Sequence, residues 1–168
     1  MIVTQLIEKA MKKAQGAQAW LNQSESTDVS FETNRLKSAE SSQQTGLGIK
    51  VILDGKVGSS HTTDINDIDG VVNRALESAE FGSPAHFDFP EPQEAIDVKI
   101  YDNAILPLTK AEMVNIGEEM ISLVREYNPE ILNYANLNKN IYNGEFANSK
   151  GVEYFSESTS FSLGVSGQ

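Results

Sequence analysis

Residues 45–82, TGLGIKVILDGKVGSSHTTDINDIDGVVNRALESAEFG, decide how the rest of the chain is read. Ile49, Val51 and Leu53 alternate with Lys50 and Ile52, the period of a strand with one face more buried than the other. Asp54-Gly55 offers the pair of positive-φ residues that a two-residue hairpin turn prefers, so Lys56 to Thr62 should return antiparallel. Asp64 then stands where a helix cap is expected, ahead of Ile65, Ile68, Val72, Ala75, Leu76 and Ala79 at helical spacing. Gly82 and Pro84 end that helix.

Upstream, Val3, Leu6, Ile7, Ala10, Met11 and Ala14 form one stripe of a first helix, closed by Gly16. AQAWLNQ reads as a strand, Ser24 to Asp28 as a polar turn, and Val29 to Thr33 as a second strand. Asn34-Arg35 turns the chain, Leu36 to Ser42 is extended, and the Ser/Gln-rich run up to Gly46 is a loop. Downstream, residues 83–108 carry all but one of the five prolines and read as an irregular connector, with Ile96, Val98, Ile100 and Ile105 as its anchors. A connector of this length inside a domain often carries function or seals an interface. Thr109-Lys110-Ala111-Glu112 has the form of a capping box, opening a third helix that Pro129 stops. Ile131 to Leu137, Ile141 to Ala147 and Val152 to Val165 read as strands, separated by turns at Asn143-Gly144 and Asn148 to Gly151. The fold class that follows is α+β, a mostly antiparallel sheet with about three helices. A helix followed by a polar hairpin occurs both at the start and after Thr109, a weak echo suggestive of internal duplication.

Bulk properties narrow the function. A length of 168 residues suits one domain, 1–168, and the strand-like run FSESTSFSLGVSGQ suggests a domain cut from a longer chain. The net charge of −11 leaves no concentrated basic face for nucleic acid. No apolar run approaches a membrane span, and the charged, amphipathic N-terminus is unlike a secretory signal, so the cytoplasm is the expected compartment. Absence of cysteine excludes a disulfide framework and any thiolate nucleophile or metal ligand.

Side chains capable of chemistry are present but not in catalytic patterns. His61 and His86 lack the second imidazole one helical turn away that a zinc helix requires. Asp64, Asn66, Asp67 and Asp69 lack calcium-loop spacing, and suit the start of a helix instead. Glu91 and Glu94 lie in the connector and read as solvated. Gly46-Leu47-Gly48 precedes a strand rather than a helix, so it is no phosphate loop. Ser156, Ser158, Ser160 and Ser162 alternate on one strand face without a nucleophile elbow; an exposed strand of this kind can accept an extended peptide by edge pairing. Trp20 and the methionines occupy core-compatible positions. No catalytic or metal-binding residue is assigned, and the binding residues stay open.

The run TGLGIKVILDGKVGSSHTTDIND resembles the N-terminal domain of the TldD/PmbA family, also called modulators of DNA gyrase. Support comes, in the family's order, from AQAWLNQ, VSFETNRLKSAESS, ALESAEFGSP and FANSKGVEYFSESTSFSLGVSG. The resemblance implies a protein more than twice this length, with the zinc motif and catalytic glutamate beyond the present residues. It implies zinc metallopeptidase chemistry on peptides by TldD-type subunits, paired as a homo- or heterodimer with PmbA (TldE)-type subunits that lack the metal ligands. The Thr-Thr-Asp helix start and SPAHFDFPEP look more like the PmbA-type half. A non-catalytic domain shaping the subunit interface and the access of extended peptides is therefore expected, with zinc, if any, held elsewhere. The alternative is a non-enzymatic partner subunit or a gyrase modulator acting through protein contacts.

Overall fold

The computed structural model describes residues 1–94, 96 and 98–168. Its elements are α1 (Ile2–Ala10), β1 (Gly16–Glu32), β2 (Arg35–Leu53), β3 (Lys56–Thr62), α2 (Ile68–Glu80), a 3-10 turn (Asn103–Ile105), α3 (Lys110–Tyr127), β4 (Asn133–Asn148) and β5 (Glu153–Gly167). The strands form one antiparallel sheet in the order β3-β2-β1-β4-β5. The α+β class holds. Two compact units are built from the chain: residues 1–23, 44–98 and 143–156 form the first, and 24–43, 99–142 and 157–168 the second.

In the first unit, Asp54 (φ 48°) and Gly55 (φ 72°) make the expected tight turn, pairing Leu53 with Lys56 and placing Gly48 opposite His61. Successive strand residues point to opposite faces. Ala17, Ala19, Leu21, Leu47, Ile49 and Val51 therefore meet Val3, Leu6, Ile7 and Ala10 of α1 and Val71, Val72, Ala75, Leu76 and Ala79 of α2 in one core. α1 ends earlier than its stripe: after Ala10 the chain turns, Met11 is exposed and Ala14 stays buried. α2 begins later than expected, with Asp67 rather than Asp64 at the N-cap position, where its side chain makes no capping bond and pairs with Arg74 instead. Asp64 instead accepts the Asn66 N–H at 2.9 Å, a local turn that competes with helix and leaves Ile65 exposed. Gly58 lies against the α2 backbone, where an added Cβ would sit 2.6 Å from the Ala79 nitrogen.

The outer edge of β3 is occupied. Val57 N–H donates to Ser83 O, Ala85 N–H donates to Gly55 O, and Ser59 N–H reaches the Ser78 hydroxyl at 2.9 Å. Of the expected connector anchors, Ile96, Val98 and Ile100 are 87, 61 and 51% exposed, and Ile105 is half-buried. Phe89 does the anchoring instead: it is 4% exposed and lies over Gly16, where an added Cβ would sit a tight 3.1 Å from its ring. Asn148 Nδ2 donates to Pro90 O at 2.8 Å, fixing the same stretch.

In the second unit, Val29, Phe31, Ala135 and Leu137 pack against Met113 and Ile121 of α3. The capping box forms as expected: Glu112 N–H donates to Thr109 Oγ1, and Thr109 N–H donates to Glu112 Oε2 at 2.7 Å. The β1–β2 turn falls on Thr33-Asn34, both at positive φ, one residue before the predicted pair. Lys139, 6% exposed, donates to the carbonyls of Leu106 and Leu108 at 2.8 Å each, and so ties down the connector's end. Thr159 N–H in β5 donates to Ile100 O, and Asp102 N–H donates to Thr159 Oγ1.

The expected breaks within β1, β2 and β4 do not occur; these strands run for 17, 19 and 16 residues. Ser24 to Asp28, Ser41 to Gly46 and Asn143-Gly144 are strand, not turn. Cross-strand hydroxyl pairs, Thr27 with Ser41 at 3.0 Å and Ser30 with Ser38 at 2.7 Å, supply side-chain bonds where apolar pairs are missing.

Candidate functional site

The face of the first unit turned away from its helices carries a cleft of about 370 Å³ lined by Trp20, Asn22, Gly46, Leu47, Lys50, Ser59, Ser60 and His61. The register explains why these residues meet. Lys50 pairs with Ser59 and Gly48 with His61, and directly opposed residues share a sheet face. Trp20 is half-buried, not in the core as its sequence context suggested, and its indole lies across Gly48. A Cβ at Gly48 would come within 2.7 Å of the indole Nε1, so glycine is what lets the ring lie flat on the strand. The cleft thus offers an apolar plate, an ammonium group that has no ion pair among the described residues, hydroxyls and an imidazole. Such a set can hold a polypeptide by stacking and hydrogen bonding. Among the described residues none of its hydroxyls is hydrogen-bonded to the imidazole as a nucleophile would be to its base.

The remaining sequence candidates disperse. His86 is exposed in the connector. Asp67 pairs with Arg74 at 2.9 Å and Asp69 with Lys9, so two of the acidic residues at the α2 start serve structure. Glu91 and Glu94 are exposed. Among the described residues no group of three His, Cys, Asp or Glu side chains could hold a metal ion. Ser156, Ser158, Ser160 and Ser162 lie along β5, and Asn140 Nδ2 contacts Ser160 Oγ at 3.5 Å. No described helix is long and apolar enough to cross a membrane.

A second cleft, of about 450 Å³, belongs to the second unit, and no sequence motif pointed to it. Glu118, Ile121, Ser122 and Arg125 of α3 line one wall, and Phe31, Asn34, Arg35 and Leu36 at the β1–β2 turn line the other. The available signal was the spacing of 118, 121, 122 and 125, which places four residues on one helical face. Asn34 is held rigidly there: its Nδ2 donates to Ile131 O at 3.0 Å, and its Oδ1 accepts from Asn133 N–H and Nδ2.

Perturbed ionisations lie outside both clefts and follow local bonds. Hydrogen bonds from the Thr109 backbone and hydroxyl hold the Glu112 carboxyl below its ordinary value. The Lys150 ammonium and then the Phe89 N–H lower Asp88, while the same contact raises Lys150. Lys37 is raised by its bond to Glu32. None of these groups is placed for proton transfer in a cleft, so their shifts mark structural pairs.

Residues 21–79 match the family described as PmbA/TldA metallopeptidase domain 1, a span that contains every lining residue of the first cleft except Trp20. No curated protein matches the chain. Among solved structures, TldE from Thermococcus kodakarensis is similar over 100% of this chain, with a TM-score of 0.91 and 17% identity. A proposed modulator of a DNA gyrase from Thermotoga maritima is similar over 96% of it, with a TM-score of 0.85 and 15% identity. Another from Bacteroides thetaiotaomicron is similar over 98%, with a TM-score of 0.84 and 16% identity. The chain spans 40%, 38% and 39% of those three chains.

Proposed function

We propose that the chain is the N-terminal, non-catalytic domain of a TldD/PmbA-type metallopeptidase assembly, since residues 21–79 match PmbA/TldA metallopeptidase domain 1. In this role it shapes a subunit interface and guides extended peptides toward a zinc site formed by residues outside it. The observation that carries this reading is the match of residues 21–79 to a metallopeptidase first domain whose cleft presents Trp20, Lys50 and His61 without a catalytic set. Trp20 is the chain's single tryptophan, so occupancy of the cleft reads out directly as a change in its emission. An unfolded polypeptide titrated into the protein should shift that emission saturably, and Lys50→Ala should weaken the effect. In the whole protein, peptide hydrolysis and zinc should follow a TldD-type partner. Hydrolysis by residues 1–168 alone, or an indole signal indifferent to peptide, would sink the proposal.

The matched proposed modulators of DNA gyrase favour a second reading, a non-enzymatic subunit acting through protein contacts. It predicts altered supercoiling by gyrase when the whole protein is added, and no peptide hydrolysis with any partner.

A further inference from the structure

We propose that the second unit's cleft is a receptor for the free C-terminal carboxylate of a peptide whose last side chain is apolar. The ligand class rests on the reading of this domain as one that handles peptides; the site itself rests on separate residues. The chain's arginines are Arg35, Arg74 and Arg125. Arg74 is bound to Asp67, whereas Arg35 and Arg125 form no ion pair among the described residues and both line this one cleft. Arg125 Nε donates to Pro129 O at 3.4 Å, which leaves its two terminal amino groups available. A guanidinium is always charged and presents parallel N–H groups that match a carboxylate in bidentate fashion. In a chain of net charge −11, two such cations facing one cleft carboxylate, Glu118, and paired with none among the described residues, leave a net positive site for an anion from elsewhere.

The rest of the lining specifies what the anion is attached to. Phe31 and Ile121, 3% and 5% exposed, close the floor of the cleft, and Leu36, 47% exposed, is its accessible apolar side chain. Gly117 lets α3 approach that floor closely, since a Cβ there would meet Phe31 Cζ at 2.8 Å. In the proposed complex the last side chain lies against Leu36 while its own α-carboxylate meets the guanidinium groups. Glu118, on the same wall, supplies an acceptor for a peptide N–H and opposes a phosphate dianion. The volume of about 450 Å³ lies in the range of small-ligand pockets.

The test is calorimetric titration of residues 1–168 with N-acetyl-Ala-Leu as the free acid, as the C-terminal amide, and with inorganic phosphate. The acid should bind, and the amide should bind at least tenfold more weakly, because it cannot make charge-assisted bonds to the guanidinium groups. Arg35→Gln and Arg125→Gln should each lower affinity for the acid by about tenfold or more by the same argument, while Arg74→Gln should not. Melting temperatures of the variants confirm that they fold. Equal binding of acid and amide, no binding of the acid, wild-type affinity in both arginine variants, or phosphate binding as tightly as the acid each overturns the proposal. Trp20 lies in the other cleft, so its emission reports on the functional reading independently of this result.

Discussion

Gly46 and Gly48 stand two positions apart on β2 and carry opposite expectations. Gly48 has the indole of Trp20 over it, whereas an added Cβ at Gly46 meets nothing within 4 Å. Gly48→Ala should therefore force the ring off the strand and destabilise the fold by about 1–3 kcal/mol, the usual cost of overpacking. Gly46→Ala should leave stability unchanged or slightly raised, because glycine weakens a strand interior. Denaturant midpoints of the two variants measure the contrast, and peptide-induced indole emission should be lost only with Gly48→Ala. At this scale the sequence was half legible. Asp54-Gly55 declared its turn through the backbone preferences of two adjacent residues, but alternation, which sets Trp20 with Gln18 and Asn22, left its place outside the core undecided. Its neighbours Ala19 and Leu21 are buried, and strand alternation alone does not say which face a helix will cover.

The elements divide by how local their signals are. The α3 capping box was readable because all its donors and acceptors lie within four consecutive residues. Thr109→Ala should cost about 1 kcal/mol, the typical value of a lost cap, measured by thermal or denaturant unfolding. Glu112 has its carboxyl pKa lowered in the folded protein, so its contribution is present above the unfolded pKa and is lost as pH falls through the folded value. Stability curves of wild type and Glu112→Gln should accordingly separate at neutral pH and converge in acid. Long strands were the opposite case. Polar runs such as Ser24 to Asp28 look like turns in isolation, and only a partner strand offering Ser38 and Ser41 makes them a ladder. The same limit hid the arginine cleft. Arg35 reads as a turn residue, and its relation to Arg125 exists only once α3 is packed on Phe31.

Across the whole molecule, β1, β2, β4 and β5 each contribute residues to both compact units. Because these four strands run on from one unit into the other, heat or denaturant should produce one transition. Leu6→Ala in the first core and Met113→Ala in the second should each lower its midpoint by an amount corresponding to about 2–5 kcal/mol, without splitting it in two by circular dichroism. A biphasic melt would contradict this. The connector has a consequence of its own. Ser83 and Ala85 bond the outer edge of β3 beside Pro84, which has no N–H to offer a further strand, and Ile100 occupies Thr159 on β5. Stripped of these short segments, the sheet would present two rows of unsatisfied amides to its neighbours in solution. A variant with residues 83–85 replaced by a glycine-serine stretch should then form thioflavin-positive fibres at concentrations where the natural chain stays dispersed, which makes an unstructured-looking strap the molecule's guard against polymerisation.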